Sequence, residues 1–266
     1  MTRRLALVTG ASAGLGAAFA RHLAARGFDL ALTARRADRL EALAGDLRDR
    51  HGVEVLSVAA DLARPEAPEA VLGEIADAGR SVDVLINNAG YGLSGTFADT
   101  RWADQADFVQ VMVTAPCELA HRVGPGMGER GYGRIVNVAS VAGLLPAAAG
   151  HTLYAASKAF LIRFSQSLHL EGRAQGVHVS ALCPGFTYTE FHDVNGTREL
   201  ADASTPRWLW LDADRVVADG WRAVEANRPV CTPGAVYKVI TGAARLIPES
   251  WALSLMAGQG GRVRKT

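Results

Sequence analysis

Along the whole chain, short apolar runs alternate with longer segments in which apolar residues recur every three or four positions. The runs near 4–9, 28–34, 53–60, 83–88, 132–139, 177–183 and 229–232 read as strands. The segments near 14–26, 38–50, 66–78, 102–128, 153–174, 213–226 and 235–246 read as helices. Strands that are apolar throughout must be covered on both faces, and the alternation supplies a helix after each of them. The pattern predicts an α/β protein, with a parallel sheet of about seven strands flanked by helices on both faces. No proline- or serine-rich linker and no internal repeat interrupts it, so residues 1–266 read as one domain.

Composition narrows the partners. Nearly half of the 266 residues are apolar, ample for such a core, and 28 basic against 27 acidic residues leave a formal charge of +1. Neither nucleic acid nor an anionic membrane is an expected partner. Cys117, Cys183 and Cys231 are isolated, and the seven histidines are scattered without a metal-binding spacing. No metal and no disulfide framework is expected, which fits a reducing cytoplasm. Thr2-Arg3-Arg4 ahead of Leu5-Ala6-Leu7-Val8 has the look of a signal peptide, but the apolar run ends after these four residues. No run approaches the ~20 apolar residues needed to cross a bilayer. A soluble, cytoplasmic protein is the expectation.

The first strand runs into Thr9-Gly10-Ala11-Ser12-Ala13-Gly14-Leu15-Gly16, and a helical stretch follows. A loop that cradles a dinucleotide needs one glycine for a tight turn, another for close approach to the phosphates, and a third where helix packs on strand. The helix start then offers N–H donors and the positive end of its dipole. A barrel of eight βα units would also alternate strands and helices, but it has no reason to place this loop after its first strand. A Rossmann-like doubly wound sheet is the expected architecture. At the end of the second strand the chain reads Leu32-Thr33-Ala34-Arg35-Arg36, with alanine where an NAD site wants an acid. Asp38, the nearest acid, falls in the following helix. A ribose 2′-phosphate wants arginine, so NADP(H) is the expected cofactor, held mainly by Arg35 with Arg36 in support.

The reacting groups are expected around Tyr154-Ala155-Ala156-Ser157-Lys158. Residues four apart share a helix face, which makes the phenol and the ammonium neighbours. A free tyrosine has a pKa of about 10, and a fixed cation beside it favours the phenolate. The chain has only three lysines and five tyrosines, so chance would supply such a pair about 0.06 times. The fifth strand delivers Ser140 at its carboxyl end, where open α/β sheets place their ligands.

Taken in order, these stretches resemble the short-chain dehydrogenase/reductase family. The matching stretches are Thr9 to Gly16, Asp61-Leu62 after the third strand, Asn87-Asn88-Ala89-Gly90 at the fourth, Ser140, Tyr154 with Lys158, and Pro184-Gly185. They cover roughly residues 4–190. The resemblance implies a cofactor site built from Gly10, Ser12, Gly14, Leu15, Gly16, Asp61, Leu62, Asn88, Ala89, Gly90, Pro184, Gly185, Thr187 and Thr189, with the two arginines, Tyr154 and Lys158. Asp61 would bind the adenine amino group, and Thr187 and Thr189 would meet the nicotinamide carboxamide. For Asn87 two readings stand side by side: a ligand contact, or an amide that ties adjacent strands. By the same resemblance Ser140 positions a carbonyl and Tyr154 protonates the developing alkoxide. Lys158 holds the nicotinamide ribose and lowers the Tyr154 pKa.

One position departs from that pattern. Many members of the family carry an asparagine in the long helix from Trp102, where it holds a water that connects the lysine to solvent. Met112 stands there instead. A thioether donates no hydrogen bond, so the relay must run through backbone or another side chain, with Gln110 and Thr114 the nearest polar candidates. Residues 186–212, by resemblance a substrate lid, hold Phe186, Tyr188, Phe191, Trp208 and Trp210. Together with Leu144, Leu145 and His151 they fit a bulky apolar or aromatic substrate, or equally they pack a helix pair or a subunit interface. The tail from about 246 packs on a neighbour or frays. The expected activity is NADPH-dependent reduction of a carbonyl, or oxidation of the alcohol. The alternatives are an NADP(H)-binding sensor or scaffold with weak turnover, and an imine reductase or epimerase on the same fold. The resemblance also implies a homodimer or homotetramer.

Overall fold

The computed structural model describes residues 3–93, 95–147, 149–150, 152–190, 205–248 and 250–254. Each predicted strand forms: β1 (Leu5–Thr9), β2 (Asp29–Ala34), β3 (Val55–Ala59), β4 (Val82–Asn87), β5 (Gly133–Val138), β6 (Val177–Leu182) and β7 (Val230–Cys231). They make one parallel sheet in the order β3-β2-β1-β4-β5-β6-β7. The order reverses between β1 and β4. Their carboxyl ends part there, opening the crevice in which sheets of this kind bind ligands.

The helices are α1 (Gly14–Ala24), α2 (Ala37–His51), α3 (Ala67–Asp77), α4 (Trp102–Val109), α5 (Ala115–Glu129), α6 (Thr152–Gly172), α7 (Ala213–Glu225) and α8 (Ala235–Ala244). Successive strand residues point to opposite faces. Val8, Leu30 and Val136 therefore meet Phe19 and Leu23 of α1, Leu40 and Leu47 of α2 and Val216 of α7. Leu7, Leu85 and Ile135 meet Ile75 of α3 and Leu119 and Met127 of α5 on the other side. Each such side chain, withdrawn fully from water, contributes roughly 1.5–3 kcal/mol of transfer free energy.

One stretch departs from the expected single helix over 102–128. Between α4 and α5 the chain makes a π turn, Gln110–Thr114, in which the Ala115 N–H reaches back five residues to the Gln110 carbonyl. The cause lies one residue further on. Pro116, in the first turn of α5, has no N–H to give the carbonyl of Met112, so a regular α-ladder cannot run through this point. The turn falls on Met112 itself.

A polar seam crosses the sheet beneath the crevice. Asn87 Nδ2 donates to Asn137 Oδ1 on the neighbouring strand (2.9 Å) and to the Pro116 carbonyl (3.2 Å). Asn137 Nδ2 donates to Ser165 Oγ on α6 (2.8 Å), which donates to the Leu161 carbonyl. Of the two readings of Asn87, these hydrogen bonds are those of the strand tie.

Candidate active site

The cofactor side is built where β1 meets α1. Thr9 Oγ1 accepts the N–H groups of Asn88 and Ala89, both at 2.9 Å, which stitches the ends of β1 and β4 together. Asn88 Nδ2 donates to the carbonyls of Thr9 (2.9 Å) and Gly10 (3.3 Å). A Cβ on Gly16 would lie 2.2 Å from the Gly10 carbonyl oxygen, so only glycine lets α1 start so close to the strand. Gly10 and Gly14 turn the loop with φ of +64° and +55°. Ala13 offers no side-chain cap and the first turn of α1, including Leu15, holds no acid. Its N–H groups are left for an anion, which fits a dinucleotide pyrophosphate.

The remaining cofactor candidates gather around this cradle. Asp61 Oδ1 accepts the Ala63 N–H (3.1 Å) in the turn after β3, and Leu62 is buried beside it. Met112 Sδ sits 2.8 Å from where a Cβ on Gly90 would be, under the cofactor floor. The Pro184 carbonyl accepts from Val141 N–H (3.0 Å). Thr187 is buried with Oγ1 donating to the Gly185 carbonyl (3.0 Å), and Thr189 Oγ1 turns to the Thr187 carbonyl (3.5 Å). The guanidinium at the glycine loop belongs to Arg36, whose Nε and Nη2 donate to Ser12 Oγ at 3.2 and 3.1 Å. Arg35, expected to take the principal role, is exposed and makes no ion pair among the described residues.

The catalytic candidates come together at the ends of β5 and α6. Ser140 Oγ accepts the Ala142 N–H (3.1 Å) and is hydrogen-bonded to the Tyr154 phenol. The short turn Val141–Gly143 lies directly on α6, where a Cβ on Gly143 would stand 2.6 Å from the Lys158 carbonyl carbon. That contact, open only to glycine, brings the serine to the tyrosine. Burial raises the Tyr154 pKa above its ordinary value, and the Ser140 hydrogen bond opposes the rise. Lys158 Nζ donates to the Val138 carbonyl at 2.8 Å and lies 5.7 Å from the centre of the Tyr154 ring. Burial pushes its pKa down to about 8, with Cys183 opposing. Lys158 was expected to be the group that favours the phenolate. In this arrangement its ammonium is also tied to backbone, and the Ser140 hydrogen bond favours the phenolate as well.

Met112 is fully buried and lines a small cavity with Asn87, Val138 and Leu161, in which Asn87 Oδ1 is buried without a protein partner. Neither relay candidate reaches this cavity: Thr114 is exposed, and Gln110 Nε2 is buried elsewhere. On the open side of Tyr154 lies a cleft lined by Leu93, Phe97, Phe108 and Leu153, with Thr100, Gln105 and Thr152 as polar neighbours. Phe186, Tyr188 and Trp210 pack on one another, with ring centres 4.8 Å apart for Tyr188–Trp210 and 5.5 Å for Phe186–Trp210. Backbone bonds from Tyr188 to Leu211 (3.0 Å) and from Leu211 to Phe186 (2.8 Å) join the two segments. Tyr237 of α8 lies flat on Gly185, donates its hydroxyl to the Leu209 carbonyl (2.8 Å) and accepts the Phe186 N–H (3.0 Å). Phe191, His151 and the tail from 255 lie outside the described residues.

A family model described as short chain dehydrogenase matches residues 4–199. The chain belongs to this family. This short-chain dehydrogenase is similar to a very-long-chain 3-oxoacyl-CoA reductase of Anas platyrhynchos, 34% identical over 264 residues, 97% of the chain and 80% of that protein. It is similar to sulfoacetaldehyde reductase 2 of Chromohalobacter salexigens, 38% identical over 203 residues, 75% of the chain and 79% of that protein. Among solved structures, a short-chain dehydrogenase from Sphingobium yanoikuyae in complex with NADPH superposes with a TM-score of 0.80 at 36% identity, covering 91% of this chain and 94% of that one. The bulky-bulky ketone specific alcohol dehydrogenase from Comamonas testosteroni gives 0.76 at 29% identity, covering 100% and 96%. This short-chain dehydrogenase is an oxidoreductase acting between CH–OH and C=O.

Several residues of its site escaped the sequence. Gly143, Phe97 and Tyr237 carry no motif, and only the glycine three residues after Ser140 offered a local signal. Among the described residues no helix is long and apolar enough to cross a membrane, and no three His, Cys, Asp or Glu side chains gather as a metal site.

Proposed function

We propose that this short-chain dehydrogenase reduces a bulky apolar or aromatic ketone, or oxidises the corresponding secondary alcohol, with NADP(H). The observation that carries the substrate class is the cleft beside Tyr154, where Leu93, Phe97, Phe108 and Leu153 supply the large apolar surfaces. The similarity to a ketone-specific dehydrogenase over the whole chain supports it. The cofactor is NADP(H). The glycine cradle fits its pyrophosphate and Arg36 at Ser12 fits its 2′-phosphate.

When bound, the nicotinamide supplies or accepts the hydride. The chain does the rest. Ser140, already hydrogen-bonded to the phenol, directs its hydroxyl at the carbonyl oxygen and fixes it beside Tyr154. Tyr154, kept protonated by burial, releases its Oη proton to that oxygen as negative charge develops there. Lys158 would hold the nicotinamide ribose from its seat on the Val138 carbonyl.

The test is a panel of ketones of graded bulk, with NADPH consumption followed by absorbance. Aryl and branched ketones should show kcat/KM at least tenfold above acetone; the reverse order would sink the substrate class. A second reading, an NADP(H)-binding sensor with weak turnover, draws on Met112, because the side-chain donors lining its cavity, the Asn87 amide and the Thr9 hydroxyl, are already engaged. Tight NADPH binding without turnover of any carbonyl would favour it.

A further inference from the structure

A ladder of charges crosses the glycine loop and lies outside the chemistry described above. Arg36 gives two hydrogen bonds to Ser12 and turns Nη1 to Glu190 at 3.3 Å. Arg39, in the first turn of the helix α2 that Arg36 precedes, meets both carboxylate oxygens of Glu190 at 2.9 Å. Glu190 follows Thr189, which lies against Gly14 at the start of α1. Residues 189 and 190 thus pass over the phosphate cradle and end on the arginines. The three charged side chains are between 38% and 46% exposed, open to a ligand and to salt.

We propose that Glu190 is a cofactor-selecting counter-anion, whose carboxylate holds Arg36 and Arg39 until a ribose 2′-phosphate displaces it from Arg36. The proposal rests on the reading that Arg36 receives that phosphate. A 2′-hydroxyl has no charge with which to displace a carboxylate from a guanidinium, so NADH leaves the ladder whole. A phosphate near −2 brings three strong acceptors and can replace it. Glu190 then stands beside the phosphate as a like charge, or keeps to Arg39. Either way, the affinity of this site for NADP(H) is set below what two unopposed arginines would give. Arg36 is meanwhile held at Ser12, already oriented.

The experiment is calorimetric titration of the whole protein with adenosine 2′,5′-bisphosphate and with adenosine 5′-monophosphate, neither of which can react. Wild type, Glu190→Gln and Arg36→Ala are compared at low and high salt. Glu190→Gln should bind the bisphosphate about threefold to tenfold more tightly at low salt, by the size of two exposed ion pairs. The gain should shrink as salt rises, and the monophosphate should bind as before, which also reports that the variant is folded. An unchanged or weaker bisphosphate affinity in Glu190→Gln, with Arg36→Ala still losing the preference for it, overturns the role of Glu190 and leaves the cofactor reading standing. A wild type without that preference, or an Arg36→Ala variant that keeps it, overturns the reading of Arg36 and the proposal with it.

Discussion

The two ends of the cleft use charged side chains in opposite ways. At the reacting end, Ser140 and Lys158 are buried and Tyr154 half-buried at the meeting of β5 and α6, and the protonation of the tyrosine and the lysine is governed by removal from water. At the cofactor-selecting end, Arg36, Arg39 and Glu190 stand half in solvent around Ser12, and their state is governed by which anion they hold. A buried group can be tuned far from its ordinary pKa but tolerates no substitute. An exposed ion pair is worth little and is readily exchanged.

The largest effect expected from that contrast is at Tyr154. Tyr154→Phe keeps the ring and removes the proton, so kcat should fall by about 10²- to 10⁴-fold while NADPH binding, measured by titration, changes little. Turnover within a few-fold of wild type would show that the buried end is not where the proton comes from.

Next comes the pH dependence of folding in the cofactor-free protein. The Lys158 pKa falls from 10.5 unfolded to about 8 folded. Between those values the unfolded chain binds more protons, so stability rises with pH across this window and the penalty is complete below about 8. The full change is on the order of 3 kcal/mol. Cys117, Cys183 and Cys231, whose pKa values burial raises on folding from 9.0, act the other way as pH approaches 9, and Tyr154 does so above pH 10, so the lysine's share is read as the difference between wild type and Lys158→Met. In denaturant titrations the stability of wild type relative to Lys158→Met should rise from pH 8 to pH 10. A difference that stays flat with pH would mean that burial of this amine does not shape the curve.

The smallest effect should appear at the open end. Raising salt from ~0.05 to ~0.5 M should narrow the NADPH-over-NADH preference several-fold, because exposed charges separated by more than a few ångströms are screened. The Tyr154-dependent rate at saturating cofactor should hold nearly constant. Equal salt sensitivity at both ends would erase the distinction.

Much of this architecture can be read from local pattern. The seven strands are continuous apolar runs, and the glycine loop sits where the first strand must turn into the first helix. Ser140, Tyr154 and Lys158 are legible because a strand end and one helical turn set their spacing. The π turn is hidden under a helical period that continues on both sides, although Pro116 was the available clue. Arg35 and Arg36 are adjacent at a strand end, where side chains alternate, and neither composition nor motif says which one faces the loop. Glu190 reaches Arg36 across 154 residues and Tyr237 reaches Phe186 across 51, and no local pattern encodes such meetings.

The seat of Tyr237 on Gly185 has a consequence for how the enzyme comes into being. The glycine loop, Ser140, Tyr154 and Lys158 all leave the ribosome well before α8 does. The loop after β6 is braced from two sides by a single hydroxyl that arrives late, through the Phe186 N–H and the Leu209 carbonyl. A growing chain that already carries Ser140, Tyr154 and Lys158 therefore still lacks the brace on the loop after β6. The brace on that loop is supplied by a helix that follows the reacting groups in the chain and contributes nothing to the chemistry.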